Sequence, residues 1–224
     1  MNTNSFDVKN ENYRYLTCDD SFDGEEDKYY VVYQYQDGGE VSCGDVRLSL
    51  AQDAYLEIAN QSFRFTTNWR AVILEVPSRL TAPLINASHR QNAYTVSKPW
   101  GYESWLTGLH PINDIVLKAI FIKAGTKTSL QVHELKHETN FILSGVADIV
   151  RSEEAFDGKR DYPLLTQTVD APYVMDVAPL SIHQLSACSD LQLIEASTNH
   201  LEDVIRLRDD SGRGDGTIPE EHGL

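Results

Sequence analysis

The sequence is poor in cysteine and has no long apolar run. Its three cysteines, Cys18, Cys43 and Cys188, lie far apart, which argues against a disulfide framework and excludes a CxxC metal pair. No segment approaches the roughly 18 consecutive apolar residues that a membrane-spanning helix needs. The opening MNTNSFDVKNEN lacks the basic head and apolar core of a secretory signal. We therefore expect a soluble, cytoplasmic protein in a reducing compartment, with no membrane partner.

Positive charge is also scarce. The chain carries 19 Lys and Arg against 34 Asp and Glu, for a net charge of -15. Proteins that bind nucleic acid need basic patches for the phosphate backbone, so a nucleic-acid partner is excluded. Most of the acidic excess lies in residues 1–60 and 200–224, which leaves residues 61–199 nearly balanced. An anionic small molecule is tolerated there, where Lys118 is one of five lysines that fall close together in the sequence.

Strand signals dominate the chain. Short runs of β-branched and aromatic residues are bounded by Gly, Asp, Asn or Pro, and only residues 51–56 and 201–208 have the composition of short helices. The pattern predicts an all-β sandwich or barrel. The predicted strands are residues 28–36, 41–48, 55–59, 69–76, 115–123, 129–132, 139–143, 147–151, 173–177 and 191–195.

The segment GTKTSLQVHELKHETNFILSG, residues 125–145, carries the most informative chemistry. Strand alternation places Gln131 and His133 on one face, and Glu138 begins the next strand and can fold back beside them. His183 follows a proline-containing turn on a later strand and is a candidate fourth ligand. Imidazole, carboxylate and amide oxygen are ligands of Zn, Mn, Fe or Co, so the sequence predicts a divalent metal site with unknown ion identity.

The spacing G-x5-Q-x-H-x4-E-x6-G, from Gly125 to Gly145, resembles the first motif of the cupins, with Gln131 in place of the first His. The stretches SLQVH and KPWGYE are similar to those of mannose-6-phosphate isomerases, and residues 194–213 resemble the closing stretch of cupins found near sugar-nucleotide enzymes. The resemblance implies a double-stranded β-helix (jelly-roll) barrel. It also implies the metal ligands Gln131, His133, Glu138 and His183.

Two features depart from that pattern. The second cupin motif has Pro five residues and Gly three residues before its His, whereas Ala178 and Leu180 stand at these positions and Pro179 is shifted by one. Gln131 is also a neutral, weaker donor than the usual His. His183 is therefore the least secure of the four ligands.

The resemblance divides the chain into three parts. Residues 97–213 form the metal-bearing cupin barrel, and residues 214–224 are a flexible, Gly- and Asp-rich tail. Residues 1–96 are a β-rich, degenerate cupin half without a ligand trio, suited to packing or to a homodimer contact. Within this half, the polar residues 77–97 are expected to be a linker or strap.

The resemblance implies a small sugar as substrate, and an aldose–ketose isomerase or epimerase acting on a sugar phosphate or nucleotide-linked sugar. Isomerisation also needs a base, for which Glu103, His137 and Glu195 are ionisable candidates beside the motifs. Lys98, catalytic and substrate-binding by resemblance, would hold a phosphate as a point charge. The further substrate-binding candidates are Trp100, Lys136 and Arg206.

Two other functions fit the same ligands. A non-catalytic sugar-binding or regulatory cupin would show a degenerate second motif, and a fold does not fix a function. An Fe(II) dioxygenase would use a facial ligand set with open positions. The isomerase-like stretches KPWGYE and SLQVH favour the isomerase over the dioxygenase, and the binding module is the stronger of the two alternatives.

Overall fold

The computed structural model describes residues 5–36, 38–67, 71–159, 161–200 and 202–222. The chain divides into two compact units, Met1–Ala93 and Tyr94–Leu224. The boundary that we expected after residue 96 falls inside a strand of the second unit.

The described residues of the N-terminal unit form ten strands in two antiparallel sheets. The six-stranded sheet has the order β1-β2-β9-β4-β7-β10, and the four-stranded sheet has the order β3-β8-β5-β6. The strands are β1 Asp7–Lys9, β2 Arg14–Cys18, β3 Ser21–Gly24, β4 Lys28–Gln34, β5 Gly39–Cys43, β6 Val46–Leu50, β7 Ala54–Ala59, β8 Phe63–Thr67, β9 Ala71–Pro77 and β10 Leu84–His89; a 3-10 turn, Arg90–Asn92, follows β10.

The core of this unit is filled by apolar side chains. β8 alternates buried and exposed residues along its whole length, so Phe63 and Phe65 point inward, where they pack in one cluster with Tyr30, Leu56 and Ile73. Among the described residues of this unit, no three His, Cys, Asp or Glu side chains come within metal-ligand distance.

In the C-terminal unit, the part of the chain that the structure describes forms eleven strands and one short helix. Its six-stranded sheet has the order β11-β12-β13-β20-β15-β18, and its five-stranded sheet has the order β17-β16-β19-β14-β21. No helix in the described part of the chain is long and apolar enough to span a membrane. The elements are β11 Tyr94–Lys98, β12 Gly101–Trp105, β13 Ile115–Ile122, β14 Leu130–Val132, β15 Glu138–Ser144, β16 Val146–Arg151, β17 Leu165–Asp170, β18 Tyr173–Val177, β19 His183–Ala187, β20 Leu191–Thr198, β21 Ile205–Arg208 and α1 Pro219–His222.

The all-β prediction is confirmed, but several local predictions are wrong. Residues 77–97 contain β10 and most of β11 rather than a linker, and the helix candidates at 51–56 and 201–208 contain strand residues of β7 and β21 (Leu201 lies outside the described residues). β21 pairs with β14, and β10 pairs with β7 along six residues. Ladder pairing with a distant strand therefore overrides the local composition.

Two motif glycines are required by close backbone approach. A Cβ on Gly101, in the KPWGYE stretch, would lie 2.0 Å from the carbonyl oxygen of Phe121. Gly145 ends the first motif with a φ of +99°, and a Cβ there would lie 2.3 Å from the carbonyl oxygen of Asp190. Both glycines let the chain turn tightly against a neighbouring segment.

The inner face of the six-stranded sheet of the C-terminal unit has two bands of side chains. One band is apolar and includes Ile120, Ile142 and Leu193. The other band is polar, and cross-strand register places Lys118 opposite Glu195. This polar band positions the candidate site.

Candidate metal centre

Three buried side chains from different strands converge at one point. His133 directly follows β14, Glu138 begins β15 and His183 begins β19. One ligand atom from each lies within 4.8 Å of the others. His183 Nε2 is 3.1 Å from Glu138 Oε1, and His133 Nε2 is 3.5 Å from Glu138 Oε2. Two imidazoles and a carboxylate are a donor set that zinc and other divalent transition metals accept.

Gln131 completes the group through the sheet register. It lies directly opposite His183 in the pairing of β14 with β19. Its Nε2 is 3.4 Å from the Nε2 atoms of both His133 and His183, while its Oε1 accepts a hydrogen bond from Ser129 Oγ at 2.7 Å. A flip of the Gln131 side-chain amide brings Oε1 to the position that faces the imidazoles. The Ser129 hydroxyl can then accept a hydrogen bond from Gln131 Nε2. The four predicted ligands are therefore adjacent.

Both imidazoles are held so that Nε2 faces the centre. His133 Nδ1 lies 2.6 Å from the carbonyl oxygen of Asp203, and His183 Nδ1 lies 3.0 Å from that of Ser181. A carbonyl oxygen can only accept, so each Nδ1 carries the proton and Nε2 is the ligand atom. Burial, followed by the charge of Lys136, lowers the pKa of His133 to about 4. His133 is thus neutral near pH 7, as metal binding requires.

The Glu138 carboxylate is fixed from two sides. Lys136 Nζ donates to Oε2, and Asn140 Nδ2 donates to Oε1 at 3.1 Å. Burial raises the pKa of Glu138, but the opposite charge of Lys136 outweighs it, so the net pKa lies well below the usual range. The residues present therefore fit a divalent cation: an ionised carboxylate, two oriented imidazoles and an adjacent amide.

A chain of buried opposite charges extends from Glu138. Lys136 Nζ also donates to Glu195 Oε1 at 2.9 Å. Lys118 Nζ lies 3.4 Å from carboxylate oxygens of both Glu195 and Glu103. All five side chains are buried. Three carboxylates and two ammonium groups leave one net negative charge, so a divalent ion would make the cluster positive and attract an anion.

Glu103 ends this chain beside Trp105. Its Oε2 accepts a hydrogen bond from Trp105 Nε1 at 3.0 Å, and Lys118 Nζ lies 4.2 Å from the centre of the Trp105 ring. Burial raises the pKa of Glu103, but the positive charges of Lys118, Lys98 and Lys136 outweigh it and lower the pKa to about 2. Glu103 is therefore a weak base, held by structural contacts.

One cavity of about 110 Å³ brings most of the predicted site residues together. Ten of the eleven line it: Lys98, Trp100, Glu103, Gln131, His133, Lys136, Glu138, His183, Glu195 and Arg206. His137 does not, because its Nε2 lies 3.1 Å from an oxygen of Asp176. Strand alternation explains this, since His137 precedes Glu138 and points to the opposite face.

Two of the predicted substrate-binding residues have structural contacts. Trp100 is buried and belongs to the apolar cluster of the barrel. The Arg206 guanidinium donates to the carbonyl oxygens of Gly214 and Gly216 and so holds the C-terminal segment.

Sequence reasoning missed two supports of the site. Lys118, Ile120 and Ile122 follow one another at two-residue spacing on β13, and this spacing is a signal for an inward-facing charge. Asp203 accepts hydrogen bonds from three successive backbone N–H groups, those of residues 134–136, at 2.6–3.0 Å. No local signal identifies Asp203, because its partners are nearly seventy residues away.

The irregular second motif is accommodated by backbone strain at Leu180. Its φ is +66°, in the left-handed region, at the position where the cupin motif has Gly. Leu180 N–H donates to the carbonyl oxygen of His133 at 2.7 Å, which ties this turn to the first motif. His183 consequently reaches the centre despite the altered sequence before it.

Comparisons with known proteins show similarity in fold. No model of a known protein family matches the sequence, and a search of curated proteins gives no match. An IolB-like protein from Salmonella typhimurium LT2 superposes with a TM-score of 0.70 at 12% identity, covering 95% of this chain and 89% of that one. YlbA from E. coli gives a TM-score of 0.65 at 10% identity, covering 88% and 83%.

Bacillus subtilis oxalate decarboxylase, a protein with Mn(II) centres, gives a TM-score of 0.65 at 9% identity, covering 92% of this chain and 78% of that one. At identities this low, structural similarity indicates a shared fold and does not indicate a shared activity. These neighbours are cupin-fold proteins, and the two all-β units of this chain have antiparallel sheets of the same kind. The chain therefore has the all-β jelly-roll fold of the cupins.

Proposed function

We propose that the protein is a metal-dependent isomerase, or a closely related epimerase, of a phosphorylated or nucleotide-linked sugar. The observation that carries the proposal is that the Gln131, His133, Glu138 and His183 group lines the same cavity as a carboxylate, Glu195, and a lysine, Lys98. A divalent ion in this group would polarise a sugar carbonyl or hydroxyl oxygen. The resemblance of SLQVH and KPWGYE to mannose-6-phosphate isomerases supports the same reaction.

Glu195 is the best-placed base among the three candidates. His137 faces away from the cavity, and the low pKa of Glu103 makes that carboxylate a poor proton acceptor. Glu195 lines the cavity and is held by Lys136 and by Ser197 Oγ, which donates to Oε1 at 3.2 Å. The Glu195 carboxylate would take the proton from one sugar carbon and return it to the neighbouring carbon. The proton lost from the hydroxyl oxygen that becomes the carbonyl would be replaced, through solvent, on the former carbonyl oxygen, so the substrate is isomerised without an external oxidant.

Solvent-deuterium exchange tests the reaction directly. With metal bound, incubation of hexose and pentose phosphates in D2O should place deuterium at C1 or C2, as detected by NMR. Glu195→Gln should abolish the exchange and keep the metal, whereas Glu138→Ala should lose both. Lys98→Ala should raise KM for a phosphorylated sugar and leave the metal content unchanged.

The remaining functions predict different results. A sugar-binding module would show ligand-dependent thermal stabilisation without exchange into any sugar of the panel. An Fe(II) dioxygenase would copurify with iron and consume oxygen. Either result, with metal bound and no exchange, would overturn the isomerase.

A further inference from the structure

A carboxylate from the C-terminal segment lies between two largely buried cations, Lys98 and Arg213. Glu221 Oε2 lies 2.8 Å from Lys98 Nζ, and Glu221 Oε1 lies 3.3 Å from an Arg213 nitrogen. The side chains of Lys98 and Arg213 are each only 9% exposed. Arg213 also donates to Asp209 Oδ2 at 2.7 Å. The two oxygens of the Glu221 carboxylate face two different, largely buried cations, as those of a bound oxyanion would. Residues 214–222 are therefore held in place, where the sequence predicted a flexible tail.

The segment that carries Glu221 is held by different contacts before and after residue 217. Gly216 N–H donates to the carbonyl oxygen of Val204 and Thr217 N–H donates to Glu202, so the chain as far as residue 217 is tied to the region around β21. Beyond it, Glu221 contacts Lys98 and Arg213, and His222 contacts Tyr94 and Trp105. The His222 ring stacks on Tyr94, whose hydroxyl donates to the His222 carbonyl oxygen at 3.1 Å.

The same segment covers part of the cavity. Ile218 and His222 belong to its lining, together with Lys98 and Arg213. The cavity volume of about 110 Å³ holds a few water molecules. It is well below the roughly 300–1,000 Å³ of ordinary small-molecule sites. Ile218 and His222 therefore border the space that a ligand of Lys98 would enter.

We propose that Lys98 and Arg213 form a binding subsite for the oxyanion of a small-molecule ligand, and that residues 218–222 are a built-in occupant which must leave before the ligand binds. The ligand's anionic group is a phosphate or a carboxylate. The inference deepens the proposed function, which already gives Lys98 the anion-binding role. Because Glu221 is tethered, it competes at an effective concentration in the millimolar range, so a weakly binding free anion is excluded until the segment detaches.

Removal of the Glu221 charge should open the subsite. Isothermal titration with inorganic phosphate, and separately with glucuronate, is performed on the full chain in a chelator-containing buffer. Glu221→Gln should bind at least one of these anions at least tenfold more tightly than the unsubstituted chain. Glu220→Gln is the matched control, because Glu220 is exposed on the same helix, and it should not change the affinity. Adding Lys98→Met to Glu221→Gln should abolish the gain.

A second measurement needs no variant. The anion identified with Glu221→Gln is added, at high concentration, to the unsubstituted chain. It should accelerate amide hydrogen exchange at residues 218–222 and leave the exchange rates of residues 202–208 unchanged. The proposal is overturned if Glu221→Gln gains no affinity for either anion, if the gain survives Lys98→Met, or if the segment stays protected when the anion binds. Neither measurement uses metal or turnover. Both can therefore succeed when the isomerase assay fails, and the isomerase assay can succeed when both of them fail.

Discussion

Lys118→Met tests the buried charge chain, because this substitution keeps the length and apolar stem of the side chain and removes only its charge. Lys118 is 7% exposed and lies between Glu103 and Glu195. Glu195 keeps Lys136 and Ser197 as partners, whereas Glu103 loses the cation that contributes most to its low pKa. The substitution therefore leaves one buried carboxylate without its main counter-charge.

The magnitude follows from the pKa of Glu103, which is about 2 in the folded chain against an ordinary value of 4.5. A difference of this size corresponds to about 3 kcal/mol of folding free energy. Because the folded pKa is the lower one, this stability is present above pH 4.5 and is lost as the pH falls toward 2; about 1.4 kcal/mol of it remains at pH 3. Removing one partner of a buried ion pair costs a similar amount, about 3–5 kcal/mol.

The assay is urea and thermal unfolding of the full chain at pH 7 and pH 3. Lys118→Met should lower the free energy of unfolding by about 3 kcal/mol at pH 7, which corresponds to about 6–12 °C in Tm, and by about half as much at pH 3. Lys123→Met is the control, since Lys123 is exposed at the end of β13, and it should change the stability by less than about 0.5 kcal/mol.

A double-mutant cycle identifies the partner. Adding Glu103→Gln to Lys118→Met should recover about 1–3 kcal/mol relative to the sum of the single effects, because no uncompensated charge then remains at position 103. Additive effects, or a loss at pH 7 below 1 kcal/mol, would refute the inferred role of Lys118 as the counter-charge.

Three further predictions follow from single observations. Leu180→Gly should raise the unfolding free energy by about 0.5–1 kcal/mol in urea titrations, because Gly adopts a positive φ without strain; a loss of stability would contradict the strain. His137→Ala should leave metal stoichiometry unchanged by elemental analysis, because His137 faces Asp176, and loss of metal would place it in the centre. Saturating the site with a divalent ion at 100 times its Kd should raise the stability by about 2.7 kcal/mol over the chelated protein, and an unchanged Tm would show that no ion binds to the folded chain.

Much of the fold could be predicted from local sequence, because strand propensity and turn residues are local properties. The runs 115–123 and 173–177 correspond closely to β13 and β18, and the all-β jelly-roll class is confirmed. Two-residue alternation also placed Gln131 and His133 on one face. Strands that are polar or short, such as β10 and β21, could not be predicted, because they form through ladder pairing with strands far away in sequence.

The candidate site also has some features that the sequence determined and others that only the folded chain determined. The sequence by itself determined its ligand types, since the spacing around His133 and Glu138 fixes which side chains share a face of adjacent strands. Only the tertiary structure decided which charges meet. The contacts of Lys118 with Glu195, of Glu221 with Lys98 and of Asp203 with His133 each join segments that are many tens of residues apart in the sequence. His137 lies outside the site because its position beside Glu138 points to the opposite face. Pairing between buried charges depends on distances of a few ångströms, and only chain folding sets those distances.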